Sequence, residues 1–177
     1  MIDDDYLLQF LRTKKYSNAA AFKLLENHLT AKVLYPKWFV YGDSDVLKMR
    51  ELYKTGYIYP LLERDEEGRR IILVQVRKMD PTIYNSGDII RLSALVSSTI
   101  MEELETQVAG YIGIIDYAEV TMKHISVFSI TDIKDYMDCL KNASVGRLKG
   151  LYCGKLMIII PLYFTTKYTH SSFSKFT

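Results

Sequence analysis

The carboxylate best placed for catalysis is Asp116, which closes the apolar run Tyr111–Ile115 in the stretch ETQVAGYIGIIDYAE. Open α/β sheets carry catalytic and binding groups at the carboxyl ends of their strands. Acid or base chemistry also needs a partner nucleophile or base within hydrogen-bond reach. None stands near Asp116 in the sequence, so the simpler role is preferred, in which its side chain satisfies backbone donors of the following loop. The histidines, His28, His124 and His170, are dispersed without clustered acids and predict no metal site. Cys139 and Cys153 match neither a CxxC redox pair nor a zinc knuckle and read as free thiols. A GxSxG elbow, an HExxH helix, a Walker phosphate loop and a GxGxxG fingerprint are all absent. The expectation is of no catalytic residue, no metal and no cofactor.

Composition narrows the partners. With 49% hydrophobic residues, 25% charged and a net charge of +2, the 177-residue chain has neither the bias of a disordered segment nor the broadly basic surface of a nucleic-acid binder. Any basic site must be local. The opening MIDDDYLLQF carries acids where a secretory signal carries bases. The longest apolar run, Leu156–Phe164, is broken by Pro161 and falls well short of the ~20 residues of a membrane span. A cytoplasmic protein with one core and no nucleic-acid partner is expected.

The elements that would position Asp116 follow from hydrophobic spacing. Tyr6, Leu7, Phe10 and Leu11 recur at helical intervals behind three aspartates, which suit a helix's positive end. After Ser17, an N-cap residue, Ala21, Leu24, Leu25, His28 and Leu29 mark one face of a second helix, giving a helical hairpin. Turn residues fill 35–45, and a short helix then runs to Gly56 as its C-cap. YIYPLL and RRIILVQVRKM read as a strand hairpin in which Gly68 supplies a positive φ, with Asp65, Glu66, Glu67, Arg69 and Arg70 forming a solvated turn. Ile89, Leu92, Val96, Ile100 and Leu104 predict one long amphipathic helix. The run Tyr111–Ile115 is apolar everywhere but Gly113, as burial on both faces of a mostly parallel sheet requires. Ile130, Ile133, Met137 and Leu140 mark one side of a further helix, and GRLKGLY enters another strand.

Taken in order, these segments resemble the CRAL-TRIO family of lipid-binding proteins. DDDYLLQFLRTKKYSNAAAFKLLENHL is similar to the family's amino-terminal helices, where an acidic pair precedes LLRFLRARKF and a leucine-rich helix. GYIYPLLERDEEGRRIILVQVRKMDP resembles its first two strands, ETQVAGYIGIIDYAEVTMKH its helix end and central strand, and VGRLKGLY its next strand entry. The resemblance covers about residues 3–152 in family order. It implies an α/β fold with a mostly parallel sheet flanked by helices and preceded by a small all-helical segment. Residues 1–50 would be that segment, 51–152 a partial lipid-binding domain and 153–177 a divergent tail.

By the same resemblance the chain would enclose one hydrophobic molecule, of tocopherol, retinoid or phospholipid class, between a sheet floor and a movable helical gate, transferring it without catalysis. Ile72, Val74, Val76, Leu92, Val96, Ile100, Ile112, Ile114 and Ile130 are expected to line the pocket. The tocopherol-transfer branch adds a basic cleft for phosphoinositide headgroups. Carried over position by position, Lys14, Arg147 and Lys149 fall on that cleft and imply peripheral docking at anionic membranes. Beyond Tyr152 the resemblance stops, so the gate and a further strand are expected to be missing and lipid retention impaired. The competing expectations are a ligand-free interaction module, a non-functional truncated isoform and, weakest, a small enzyme using Asp116.

Overall fold

In the computed structural model, which describes residues 4–154, a four-stranded sheet has the order β1-β2-β3-β4. β1 (Ile58–Arg64) pairs antiparallel with β2 (Arg70–Gln75), and β3 (Tyr111–Asp116) pairs parallel with both β2 and β4 (Leu148–Gly154). The expected α/β class and mostly parallel sheet are both present. Parallel neighbours require crossovers. α5 (Ser86–Ile100) and α6 (Leu104–Ala109) connect β2 to β3, while α7 (Met122–Ser126) and α8 (Ile130–Asn142) connect β3 to β4.

Side chains alternate along each strand, so every strand feeds two faces. Ile72 and Val74 join Leu92, Val96 and Ile100 of α5, and Met49 and Leu52 of α4 (Asp43–Lys54), in the main core. Ile71, Leu73, Ile112 and Ile114 form a separate buried cluster on the other face. Ile112 is fully buried, which fits a central strand without a solvated side. At Gly113 a Cβ would lie 2.7 Å from Leu151 Cδ1, so glycine lets the β4 side chain lie across the strand.

The amino-terminal helices α1 (Asp4–Thr13) and α2 (Asn18–Leu34) form the expected hairpin around Phe10, Ala21 and Leu24. Leu29, expected on that face, is exposed, because α2 packs through the line Ala21, Leu24 and Ala31. Where only turn residues were expected, Pro36–Phe39 forms a one-turn helix, α3, with Pro36 at its start and Trp38 buried. The expected boundary at residue 50 falls inside α4, which carries Met49 and Leu52 into the main core.

Three further expectations are corrected. The predicted long helix breaks at residues 101–103, leaving Leu104 56% exposed. The break lets Glu103 accept from Arg64 Nη2 at 2.7 Å and from Arg70 Nη2 and Nε at 2.6 and 3.1 Å, with Thr106 Oγ1 donating at 2.6 Å. The hairpin turn is likewise not solvated throughout. Asp65 is buried and accepts from the Glu67 and Arg69 backbone N–H groups and from Arg69 Nε at 2.6 Å. Gly68 supplies the positive φ, at 73°. Finally, β2 ends at Gln75, and Val76 begins a 3-10 turn, Val76–Lys78.

Candidate functional site

Two apolar cavities border Leu95 of α5. The smaller, about 260 Å³, lies among α1, α2, α3, α5 and α8, with Trp38, Ile90, Ala94, Tyr136 and Leu140 in its walls. The larger, about 460 Å³, lies among α4, α5 and β1 and is lined by Val46, Met49, Tyr53, Leu92, Val96 and Ile100. Tyr41 and Leu95 border both, so the cavities adjoin along one helix. Small-ligand sites typically span about 300–1,000 Å³ and are mostly apolar with a few polar groups.

Polar clamps hold these walls in place. Asn85 and Asp88 cap α5 reciprocally, and the buried Asp88 carboxylate accepts from Lys48 of α4 and from Arg91, both at 3.3 Å. Arg91 also reaches Asp45 at 2.8 Å, which fastens α4 to α5 a second time. Asp132, in the first turn of α8, accepts from Lys37 Nζ at 2.5 Å and from Ser86 Oγ at 3.0 Å, tying α8 to α3 and α5. The Lys37 hydrogen bond, with those of Ser129 and Ser86, outweighs burial and holds the Asp132 carboxyl down at about 2. Trp38 stacks on Tyr35 at 4.5 Å and meets Tyr136 edge-on at 6.2 Å.

Two titratable groups at the smaller cavity, His28 and Cys139, are shifted toward their neutral forms. Burial lowers the His28 pKa against the raising effect of a 2.9 Å contact between Nδ1 and the Ala143 carbonyl, and Lys32 lowers it further. Burial, helped by Asp135 and Asp138, pushes the Cys139 thiol up to about 11, so it is no nucleophile at neutral pH.

The residues expected to line a pocket are divided by the structure. Leu92, Val96 and Ile100 line the larger cavity, and Ile72 and Val74 pack behind them in the same core. Val76 is half-buried in its 3-10 turn. Ile112 and Ile114 lie on the opposite face of the sheet, and Ile130, 88% exposed, borders neither cavity. The walls of the smaller cavity were missed. Their signal is that α5 is apolar beyond one stripe, with Ile90 and Leu95 beside Ile89, Leu92 and Val96, which marks a helix packed on several sides.

A second region forms where α1 meets the entry to β4. The Gly146 N–H donates to Thr13 Oγ1 at 3.0 Å, so Lys14 and Arg147 each stand one residue from a shared hydrogen bond. Arg147 Nη2 donates to the Gln107 carbonyl at 3.2 Å and to that of Val108, placing its charge at the negative end of α6. Lys149 is exposed on β4. Arg12, which sequence reasoning passed over, donates to Gln107 Oε1 at 2.7 Å, and Gln107 in turn donates to the Met101 carbonyl. Gly110, at φ 90°, is required here, because a Cβ would lie 2.4 Å from the Arg147 carbonyl oxygen.

Asp116 behaves as the simpler reading expects. It is buried, and its Oδ1 accepts from the Ala118 N–H at 3.0 Å, closing the loop after β3, while Arg77 Nη1 stands 3.8 Å from Oδ2. Among the described residues no group of three or more His, Cys, Asp or Glu side chains is arranged to hold a metal ion. None of the described helices is long and apolar enough to cross a membrane.

A helical segment leading into a mostly parallel sheet, with apolar cavities beside the crossover helix, defines an α/β ligand-binding class. Sequence comparison names it: the CRAL/TRIO domain matches residues 54–169, and the chain belongs to that family of lipid-binding and lipid-transfer domains. The chain is similar to Clavesin-1 of Rattus norvegicus, with 28% identity over 150 residues that cover 85% of this chain and 42% of the relative. Clavesin-1 of Xenopus laevis is 27% identical over 85% of this chain and 45% of its own length, and Clavesin-2 of Homo sapiens 26% over 85% and 46%. The chain thus spans less than half the length of these curated relatives.

Proposed function

We propose that this chain binds one small hydrophobic lipid in the cavities beside α5 and presents it at an anionic membrane surface, as a cytoplasmic, peripherally docking carrier without enzymatic activity. The observation that carries this reading is the pair of adjoining apolar cavities, whose walls are fixed by polar clamps at the buried Asp88 and the half-buried Asp132. Their lining is chiefly aliphatic and aromatic, the composition a lipid chain needs. Asp116 is engaged by its own loop, which argues against a catalytic role.

Lys14, Arg147 and Lys149 are the proposed contacts for phosphoinositide headgroups. The Thr13 hydrogen bond to Gly146 supports the grouping by joining the chain segments that carry Lys14 and Arg147. Lysine grips phosphate as a point charge without arginine's fork, so selectivity among headgroups is expected to be loose. Native mass spectrometry with lipid extraction tests the cavity, and sedimentation with phosphoinositide vesicles tests the basic residues. The expected results are one lipid per chain, and weaker vesicle binding by the triple alanine variant of Lys14, Arg147 and Lys149. A chain that never carries lipid would sink the first part; a triple variant that sediments like the parent would sink the second.

A ligand-free interaction module is the second reading. It is favoured by the exposed apolar side chains Met122, Ile125, Ile130 and Ile133 on α7 and α8. The same lipid measurement separates the two.

A further inference from the structure

The wall of the smaller cavity is unbalanced in charge. Among the described residues it is lined by Lys32, Arg91 and His28 but by no aspartate or glutamate. Arg91 is already matched, because its Nη1 is held by Asp45 at 2.8 Å and by Asp88 at 3.3 Å. His28 is kept toward its neutral form by burial and by the charge of Lys32, and its Nδ1 lies 2.9 Å from the Ala143 carbonyl oxygen. Lys32 forms no ion pair or side-chain hydrogen bond with another described residue. It is exposed although it borders the cavity, the behaviour of a lysine whose stem lines an apolar wall while its ammonium stays in water.

The cation and the apolar walls belong to different elements. His28 and Lys32 stand one turn apart on α2, and the His28 ring lies 6.5 Å from that of Tyr6 on α1. Ile90 and Ala94 of α5 and Leu140 of α8 supply aliphatic wall. Asp135 and Asp138 of α8 bear on Cys139 and Tyr35, and neither borders the cavity. An apolar interior with a solvated cation at its rim fits an amphiphile whose charge stays hydrated, since a carboxylate drawn fully inside would lose its water without a partner. The volume, about 260 Å³, lies below the ~300 Å³ at which ordinary small-ligand sites begin, which fits one slender chain rather than two.

Building on the lipid-binding reading above, we infer that the smaller cavity takes a single-chain lipid anion, a fatty carboxylate, with its tail against Ile90, Ala94 and Leu140 and its headgroup paired with Lys32 at the rim. Lys32 then separates a fatty acid from a neutral lipid of equal length, and does so apart from the basic residues proposed for membrane docking.

Trp38 lines this cavity and is the only tryptophan in the chain, so its fluorescence reports binding here rather than at the basic region around Arg147. The full chain is titrated at neutral pH with decanoate and with 1-decanol, as parent, Lys32→Met and Lys32→Arg. In Lys32→Met the ratio of decanoate to decanol affinity is expected to fall about fivefold, the worth of an ion pair at an exposed lysine, with decanol affinity unchanged. Lys32→Arg, which keeps the charge, should keep the parent's ratio. Added salt should weaken decanoate binding to the parent more than decanol binding. Uptake of decanol alone, a ratio that is the same in parent and Lys32→Met, or decanoate binding indifferent to salt overturns the inference and leaves the lipid cavity standing. Uptake of neither probe overturns it together with the reading of this cavity as a lipid site. The salt series uses the parent chain, so the test stands whether or not Lys32→Met folds.

Discussion

Replacing Asp132 by asparagine removes the charge that ties α8 to α3 and α5 while keeping the side chain's shape. The Asp132 pKa falls from its ordinary 3.8 to about 2, chiefly through the Lys37 hydrogen bond. A gap of that size corresponds to at most about 2.5 kcal/mol in favour of the folded state. The Lys37 side chain is 53% exposed, and solvent screening reduces the expected contribution to about 1 kcal/mol. Because the folded pKa is depressed, the contribution is complete above the unfolded value near 3.8 and disappears as pH falls from there toward about 2. Urea unfolding of parent and Asp132→Asn should therefore show a gap of about 1 kcal/mol at pH 7 that narrows below pH ~4. A gap that stays constant between pH 7 and pH 3, or none at pH 7, would refute the assignment of this ion pair as the anchor of α8.

Two other perturbations follow from the same contacts. Glu103→Ala leaves the largely buried Arg70 guanidinium without its carboxylate and Arg64 with only the exposed Glu105, 3.3 Å away, and because Glu103 is itself partly exposed the expected loss is about 2 kcal/mol, read from urea midpoints. Burial raises the Glu103 pKa, but hydrogen bonds from Arg70 and Thr106 and the charges of Arg70 and Arg64 outweigh it, so this stabilisation is full at neutral pH and is lost as acid protonates the group. Leu95→Trp adds bulk at the border shared by both cavities and should reduce bound lipid per chain in native mass spectra, with the melting temperature within about 3 °C of the parent because the site is partly exposed.

What could be read in advance was local. β3 announced itself because an unbroken apolar run has no solvated side, and the stripe Leu92, Val96 and Ile100 marked the face of α5 that meets the sheet. The break after α5 was hidden because Ile100, Met101 and Leu104 continue the helical period. Its cause, the pairing of Glu103 with Arg64 and Arg70, joins positions 33 and 39 residues apart, beyond any local window. α3 was obscured because Pro36 reads equally as a turn residue and as the first residue of a helix. Ile130 shows the converse failure: its position is apolar, yet α8 is secured by a polar contact at Asp132 and leaves Ile130 outside. For the basic region, family resemblance pointed to Lys14, Arg147 and Lys149, whereas the engagement of Arg147 with α6 depends on how β4 enters the sheet.

The hydrogen bond from Gly146 to Thr13 spans 133 positions of chain. Among the described elements α1 is made before the others, and its anchor emerges after all but the last of the four described strands has been synthesised. The hairpin of β1 and β2, whose contacts are short in sequence, has a complete partner long before that. The contact of α1 with the entry to β4 can thus form only after most of the described chain has been made, whereas its packing on α2 needs no such wait.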